Sequence, residues 1–246
     1  MLKQHRTALL AMTTMEVALS LRRGESVLIT LVVPALLLTF FGSIQVLPEG
    51  SGSSGQALLP GMLALAVMSA SMVSLGIATA FERHYGVLKR LGGSPLPRFG
   101  LIVAKALGVL IIEAVQVVLL LGIASLLFGW RPNGSVWLVP PLVILGTAAF
   151  AGIGLLMAGT MRAEAALAAA NGLFVVFLLL GDMVFPVEQL PSWLAALARL
   201  LPAAALSEVL RGALGPTASV NPVSVSLLAA WALLTFLAAS RTFRWE

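Results

Sequence analysis

The sequence predicts an all-α membrane protein with six transmembrane helices. Of its 246 residues, 59% are hydrophobic and only 10% are charged, which is too little charge to cover the surface of a soluble domain of this size. Six nearly uncharged runs are each close to the roughly 20 residues that a helix needs to cross a bilayer. They are Ser26 to Leu47, Leu58 to Ala80, Leu101 to Phe128, Val136 to Thr160, Ala165 to Val184 and Pro222 to Ser240.

These runs fill most of the chain, so we expect a single transmembrane domain over residues 1–246. Each span must satisfy its backbone polar groups within a helix, because lipid offers no hydrogen-bonding partners. The predicted parts are an interfacial segment (1–24), spans one to five (26–184), a long outer loop (185–221) and span six (222–240).

The distribution of basic residues predicts the orientation of the spans. If the spans alternate, all but three of the 15 lysines and arginines fall on one side of the membrane. The positive-inside rule makes that side the cytoplasm, so we expect both termini and the loop 81–100 there. The net charge of +5 then indicates topology and not nucleic-acid binding. The three exceptions are Arg131, Arg199 and Arg211.

The amino-terminal segment 1–24 mixes basic and apolar side chains, a pattern that suits a helix lying at the inner membrane surface. The alternative is a partly disordered tail.

Two short helices are predicted in the outer loop. Apolar residues recur at helical spacing from Leu190 to Leu201, which predicts a helix with one buried face. A second helical segment, Ala203 to Leu214, follows Pro202. Because prolines bracket the first helix, we expect two re-entrant or capping helices and not a seventh span. The candidate residues of this region are Pro186, Leu190, Trp193, Leu197, Glu208 and Arg211.

No catalytic motif is visible in the sequence. It contains neither a GxxxxGK[ST] phosphate-binding loop nor a GxGxxG, so it cannot bind and hydrolyse ATP by means of these motifs. The two histidines, His5 and His84, are far apart and the chain has no cysteine, so no metal centre is predicted. No histidine is placed to activate a serine nucleophile. We therefore predict no catalytic residues, no metal and no cofactor on this chain.

Glu113 is the most unusual residue of the spans. It lies about twelve residues into span three, near the middle of the membrane at a rise of 1.5 Å per residue. An ionised carboxylate facing lipid there is costly, so Glu113 is expected to face a helix interface or cavity, or to be protonated. Gln116, one turn along, is expected to share a hydrogen bond with it. Two roles remain open, a proton or cation site and a polar lock between helices.

Other polar residues lie nearer the membrane surfaces. Asp182, at the outer end of span five, is a candidate for part of a pathway. Glu164, at the inner end of that span, suits a surface role, and Asn171 suits a hydrogen bond between helices.

The cytoplasmic loop reads FERHYGVLKRLGGSPLPRFG. A helix that continues from Phe81 places Tyr85, Leu88 and Leu91 on one face, and Gly92 and Gly93 with two prolines then end it. The alternative is a basic loop that merely obeys topology.

At this point the sequence resembles a known family. The run from Glu82 to Arg98, with Lys105 after it, is similar to the loop between spans two and three of ABC-2 type permeases, particularly exporters related to daunorubicin transporters. The run FPVEQLPSWL from Phe185, continuing to Leu214, is similar to the outer re-entrant helices of that family. Gly92 and Gly93 depart from the bulkier or charged residues that relatives often carry.

The resemblance implies a permease that works with a separate ATPase subunit. Two ATPase copies would bind ATP and magnesium, and a second permease, identical or homologous, would complete the unit in a bacterial inner membrane. The loop would be the coupling helix that meets the ATPase, and the amino-terminal helix would lean against it. The residues of this coupling helix would be Glu82, Arg83, Tyr85, Gly86, Leu88, Lys89, Arg90 and Leu91.

The function expected from this resemblance is export of an amphipathic drug, antibiotic or lipid. One alternative is a proton-coupled secondary transporter that uses Glu113, although no inverted repeat with matched broken helices is evident. Another is a scaffold or sensor that does not transport.

Overall fold

A computed structural model describes residues 2–22, 24–44, 54–88, 98–131, 135–184, 186–215 and 219–242. Within these ranges every regular element is helical. The main helices are α1 Leu2–Arg22, α2 Gly24–Ser43, α3 Ser54–Met68, α4 Leu75–His84, α5 Arg98–Phe128, α6 Val139–Thr160, α7 Ala163–Leu180, α8 Ser192–Ala198, α9 Pro202–Leu214 and α10 Pro222–Thr242. A π-helical turn, Ser69–Ser74, joins α3 to α4 in one continuous rod.

The prediction of an all-α membrane protein is confirmed. Five helical segments of the described chain are long and apolar enough to cross a membrane: Gln56–His84, Gly100–Phe128, Val136–Thr160, Ala163–Leu180 and Pro222–Thr242. They match predicted spans two to six. Helix α2 covers most of predicted span one with 20 residues, about 30 Å of helix, and residues 45–47 of that span lie outside the described residues. Its side chains are described from Thr30 onward.

The rod of α3, the π turn and α4 lies at the centre of the bundle and packs mainly against α2, α6 and α9. A Cβ on Gly154 of α6 would lie 2.6 Å from the Met72 carbonyl oxygen of the π turn. On the same helix, a Cβ on Gly152 would lie 2.2 Å from Thr235 Oγ1 of α10. Glycine therefore allows α6 to contact both neighbours closely, as small residues do between helices in lipid.

The two predicted short helices are present. Helices α8 and α9 meet at a bend of 81°, as a broken span or re-entrant pair would. Helix α9 is largely buried against α3, α6 and α10. Burial of the first helix is not observed within the single chain: α8 is seven residues long, and Trp193, on its predicted buried face, is 66% exposed. We call the end of the bundle that carries α8 and α9 the hairpin end.

The opposite end, where α4 ends and α5 begins, we call the loop end. The prediction of one helix from Glu82 to Leu91 is wrong in its first half. Helix α4 ends at His84, and Tyr85 and Gly86 form a turn in which Gly86 has a φ of +72°, a conformation that favours glycine. Helical structure resumes at Val87 and Leu88. Lys89, Arg90, Leu91, Gly92 and Gly93 lie outside the described residues.

Candidate functional site

A buried cluster of three charged side chains joins three helices at the loop end. The Lys105 ammonium of α5 donates hydrogen bonds to Glu16 Oε1 of α1 at 2.7 Å and to Glu82 Oε2 of α4 at 2.6 Å. Lys105 is 1% exposed, Glu16 7% and Glu82 8%. We call these residues the ion cluster. It lies about 10 Å, or seven helical residues, from the beginning of α5.

The ion cluster is expected to hold α1 in place. Buried charges are retained only when they are paired and hydrogen-bonded, and both carboxylates here pair with the same ammonium. Apolar contacts reinforce the arrangement, since Met12 of α1 belongs to a buried cluster with Leu101 and Ile102 of α5. The amino-terminal helix, the end of span two and the beginning of span three thus form one mechanical unit.

A cavity of about 590 Å³ lies beside the ion cluster. Its wall combines parts of α1, the π turn, α4 and α5, and most of its lining side chains are apolar. All three residues of the ion cluster reach this wall. The volume lies within the range of small-molecule sites, which are typically apolar with a few placed polar groups.

The described coupling candidates divide into buried and exposed residues. Glu82 points into the ion cluster and Leu88 is fully buried. Arg83 donates a hydrogen bond to the Met161 carbonyl just after α6. Tyr85 is 71% exposed, so it is presented at the surface of the loop end.

Glu113 and Gln116 lie at helix interfaces, as the sequence predicted, but they are not hydrogen-bonded to each other. The Thr147 hydroxyl of α6 contacts Glu113 Oε2 and also the Val143 carbonyl at 2.8 Å. Gln116 donates to the Thr30 carbonyl of α2 at 2.7 Å. One hydroxyl proton cannot serve two acceptors, whereas a protonated Glu113 that donates to Thr147 would satisfy both contacts.

Asp182 and Arg211 form an ion pair at the hairpin end. Asp182 follows α7 in a turn with a φ of 55°, and Arg211 of α9 donates to its Oδ2 at 2.8 Å and to its carbonyl oxygen at 3.1 Å. The Asp182 Oδ1 accepts from the Val187 amide at 3.2 Å. Burial raises the pKa of the Asp182 carboxyl, and the nearby Arg211 charge opposes that rise without cancelling it.

Glu208, also on α9, accepts hydrogen bonds from Asn221 at 2.8 Å and from Ser224 of α10 at 2.7 Å. Helix α9 is therefore tied to α7 through Arg211 and to α10 through Glu208. These two links hold α9, the buried helix of the bent pair α8 and α9, in place.

The remaining candidates are peripheral in the single chain. Glu164 is exposed in the first turn of α7. Asn171 is exposed and makes no hydrogen bond within the described residues, so its expected interhelical bond is not formed here. Leu197 is exposed on α8, and Pro186 and Leu190 are half-buried on either side of a short 3-10 turn.

Sequence reasoning missed the ion cluster. The sequence indicates Lys105 only as a cytoplasmic charge and as part of the run that resembles the family, and it predicts no role for Glu16. The available indication was that a lysine inside a long apolar helix is rare and requires a partner. Glu16 lies 89 positions away, and no local periodicity links residues at that separation.

Comparison with known proteins identifies the family of this chain. The chain is 27% identical over 186 residues to the "Probable multidrug ABC transporter permease YbhR" of Escherichia coli K12, covering 74% of this chain and 49% of that protein. It is 25% identical over 185 residues to the "Putative transport permease YvfS" of Bacillus subtilis, covering 74% and 75%. The chain thus spans about half the length of the first relative. The family model described as ABC-2 type transporter matches residues 7–214, and the chain therefore belongs to the ABC-2 type transporter family.

Proposed function

We propose that this chain is the membrane-spanning permease subunit of an ATP-powered exporter. A separate ATPase subunit, present in two copies, binds and hydrolyses ATP with magnesium, and a second permease completes the unit. The transported compound is an amphipathic drug, antibiotic or lipid. The protein lies in a bacterial inner membrane with both termini in the cytoplasm.

Family membership over residues 7–214 carries this proposal. Two further observations support it. One relative is named a probable multidrug ABC transporter permease, and the sequence lacks the phosphate-binding loop that this chain would need to use ATP itself.

The loop end supports a mechanical role in which force enters from outside the chain. Tyr85 is exposed there, and only two residues separate it from Glu82 of the ion cluster. A displacement of this turn would move α4, and the ion cluster would transmit the displacement to α1 and α5. Alternating access needs such a biased change between two states and no covalent chemistry by the permease.

Reconstitution in vesicles tests the proposal. The purified permease is incorporated with and without the candidate ATPase, and uptake of a fluorescent amphipathic dye is followed with ATP, with a non-hydrolysable analogue, and with a proton gradient alone. We expect uptake only with the ATPase and hydrolysable ATP. Uptake driven by the proton gradient without the ATPase would contradict the proposal and favour the secondary transporter.

A pair of variants tests the entry point of force. Tyr85→Asp is expected to leave the permease inserted and folded but to lower ATP-dependent uptake and ATPase binding. The matched control is Trp137→Asp, which alters an exposed aromatic residue preceding α6 at the other end of the bundle. Equal loss in both variants, or in neither, would show that the loop end is not the coupling surface. If the permease and the ATPase form a complex but no compound stimulates its ATP hydrolysis, the result would favour a scaffold or sensor that does not transport.

A further inference from the structure

We propose that the cavity beside the ion cluster is a binding site for a cationic amphipathic molecule. This inference deepens the proposed function, because it names the chemical class that the permease would accept at this site. It rests on the charge of the cavity wall, on its aromatic residues and on its shape.

The charge of the wall favours a cation. Three charged side chains line it in the described part of the chain, Glu16, Glu82 and Lys105, so the lining has one more carboxylate than ammonium. Within the described residues Glu16 has one hydrogen bond, which Oε1 accepts from Lys105. No described residue donates a hydrogen bond to its Oε2, so this oxygen can accept a hydrogen bond or attract a positive group. A bound anion would face this carboxylate, and the only ammonium of the described lining, Lys105, already serves two partners.

Aromatic rings lie on the same wall. Phe81 and Tyr85 both line the cavity, and their ring centroids are 6.1 Å apart. Aromatic faces attract cations through the ring quadrupole and also contact apolar groups. Carboxylates and aromatic rings on one largely apolar wall suit a molecule with a positive centre and an apolar body.

The cavity is open at one edge, and a π-helical turn forms part of its wall. Tyr85 and Val87 are exposed, so the cavity opens beside the turn that ends α4. Its inner part is lined by Ser69, Ala70, Val73 and Ser74 of the π turn, and π turns inside helices occur frequently at functional sites. The opening therefore lies at the loop end, on the side that would face the cytoplasm.

Equilibrium binding of two ions of matched shape and opposite charge tests the proposal. The purified 246-residue chain in detergent is titrated with tetraphenylphosphonium and with tetraphenylborate, and bound ligand is measured by equilibrium dialysis. We expect saturable binding of the cation and weaker binding of the anion. Equal binding of both ions would overturn the proposal, because it would show partition into apolar surface.

The decisive variant is Glu16→Gln. It removes one charge from the wall but keeps an oxygen that can accept from Lys105, which also remains paired with Glu82. Cation affinity should fall about tenfold, the factor for an attraction of about 1.4 kcal/mol, and anion affinity should not fall. The control is Glu164→Gln, which removes the same charge from an exposed position outside the cavity and should change neither affinity.

A second variant guards against a folding effect of Glu16→Gln. Ala78→Phe places a larger side chain in the cavity wall and leaves the ion cluster intact, so it should reduce cation binding without altering the wall charge. Unchanged cation binding in both variants would refute the site. ATP-driven dye uptake in vesicles that contain the permease and the ATPase separates the two proposals. Uptake that persists while the cation fails to bind rejects this site alone. Glu16-dependent binding without any ATP-driven uptake rejects the exporter alone.

Discussion

Replacement of Lys105 by methionine is predicted to release α1 from the bundle. The substitution leaves Glu16 and Glu82 buried and facing each other without the ammonium that pairs with both. Breaking a buried ion pair by removing one partner typically costs about 3–5 kcal/mol, because the other charge remains uncompensated. Since the three side chains are at most about a tenth exposed, we expect the Lys105→Met variant to lie within this range.

Thiol labelling measures this cost locally. The chain has no native cysteine, so Met12→Cys introduces a single thiol into the buried face of α1, where Met12 is 6% exposed. Each 1.4 kcal/mol corresponds to a factor of ten in the population of the opened state. Lys105→Met should therefore raise the labelling rate at position 12 roughly 100-fold or more.

Two companion variants identify the cause. Arg241→Met removes a positive charge from an exposed position on α10 and should leave labelling unchanged. The triple variant Glu16→Gln, Glu82→Gln, Lys105→Met removes the three charges of the ion cluster together and should recover most of the protection, because a neutral cluster carries no uncompensated ion. An unchanged labelling rate in Lys105→Met alone would refute the view that the ion cluster holds α1.

Three further predictions concern other contacts. Gly152→Ala should lower the free energy of unfolding in detergent by about 1–3 kcal/mol through overpacking against α10. The control Gly172→Ala adds a Cβ that would meet nothing within 4 Å and should have no such effect. Equal effects would show that close contact between α6 and α10 does not explain the glycine at position 152. Because folding raises the pKa of Asp182, the stabilisation from its protonated form is complete below the pKa of the unfolded state and is lost as pH rises through the pKa of the folded state. At pH 7 Asp182→Asn should therefore be at least as stable as the native chain, with a stability that depends less on pH, whereas Arg211→Met should lose about 1–2 kcal/mol of unfolding free energy. Unfolding titrations in which Arg211→Met is the more stable variant would contradict this prediction. Glu113→Gln can still donate to the Thr147 hydroxyl and should leave both ATP-driven uptake and stability unchanged, whereas selective loss of proton-driven uptake would identify Glu113 as a proton carrier.

The spans and the bent helix pair could be predicted from the sequence because they depend on local patterns. Apolar runs of span length, and the prolines at both ends of α8, can be recognised in the local sequence without knowing how the helices pack. The break at Gly86 was not predicted, since helical spacing alone does not show that a glycine will adopt a positive φ. Exposure of Trp193 was also missed, because periodicity identifies an apolar face and not what covers it.

The candidate site was less predictable than the fold. A rare charge in a span reveals that a partner exists, but the partner's identity depends on how helices pack across the whole chain. Glu113 was correctly placed at an interface by the cost of exposing it to lipid. Its hydrogen-bonding partner proved to be Thr147 on another helix and not Gln116 on its own, because a threonine hydroxyl on α6 lies within reach.

The π-helical turn Ser69–Ser74 has a consequence for the rotational phase of span two. A π turn accommodates an extra residue in a helix, and one residue corresponds to about 100° of rotation about an α-helical axis. Deleting one residue from this turn would restore a regular α-helix and turn all of α4 by roughly that angle. Glu82 would then point away from Lys105, although it lies eight residues beyond Ser74. The pairing of α4 with α1 and α5 thus depends on a local irregularity two helical turns away.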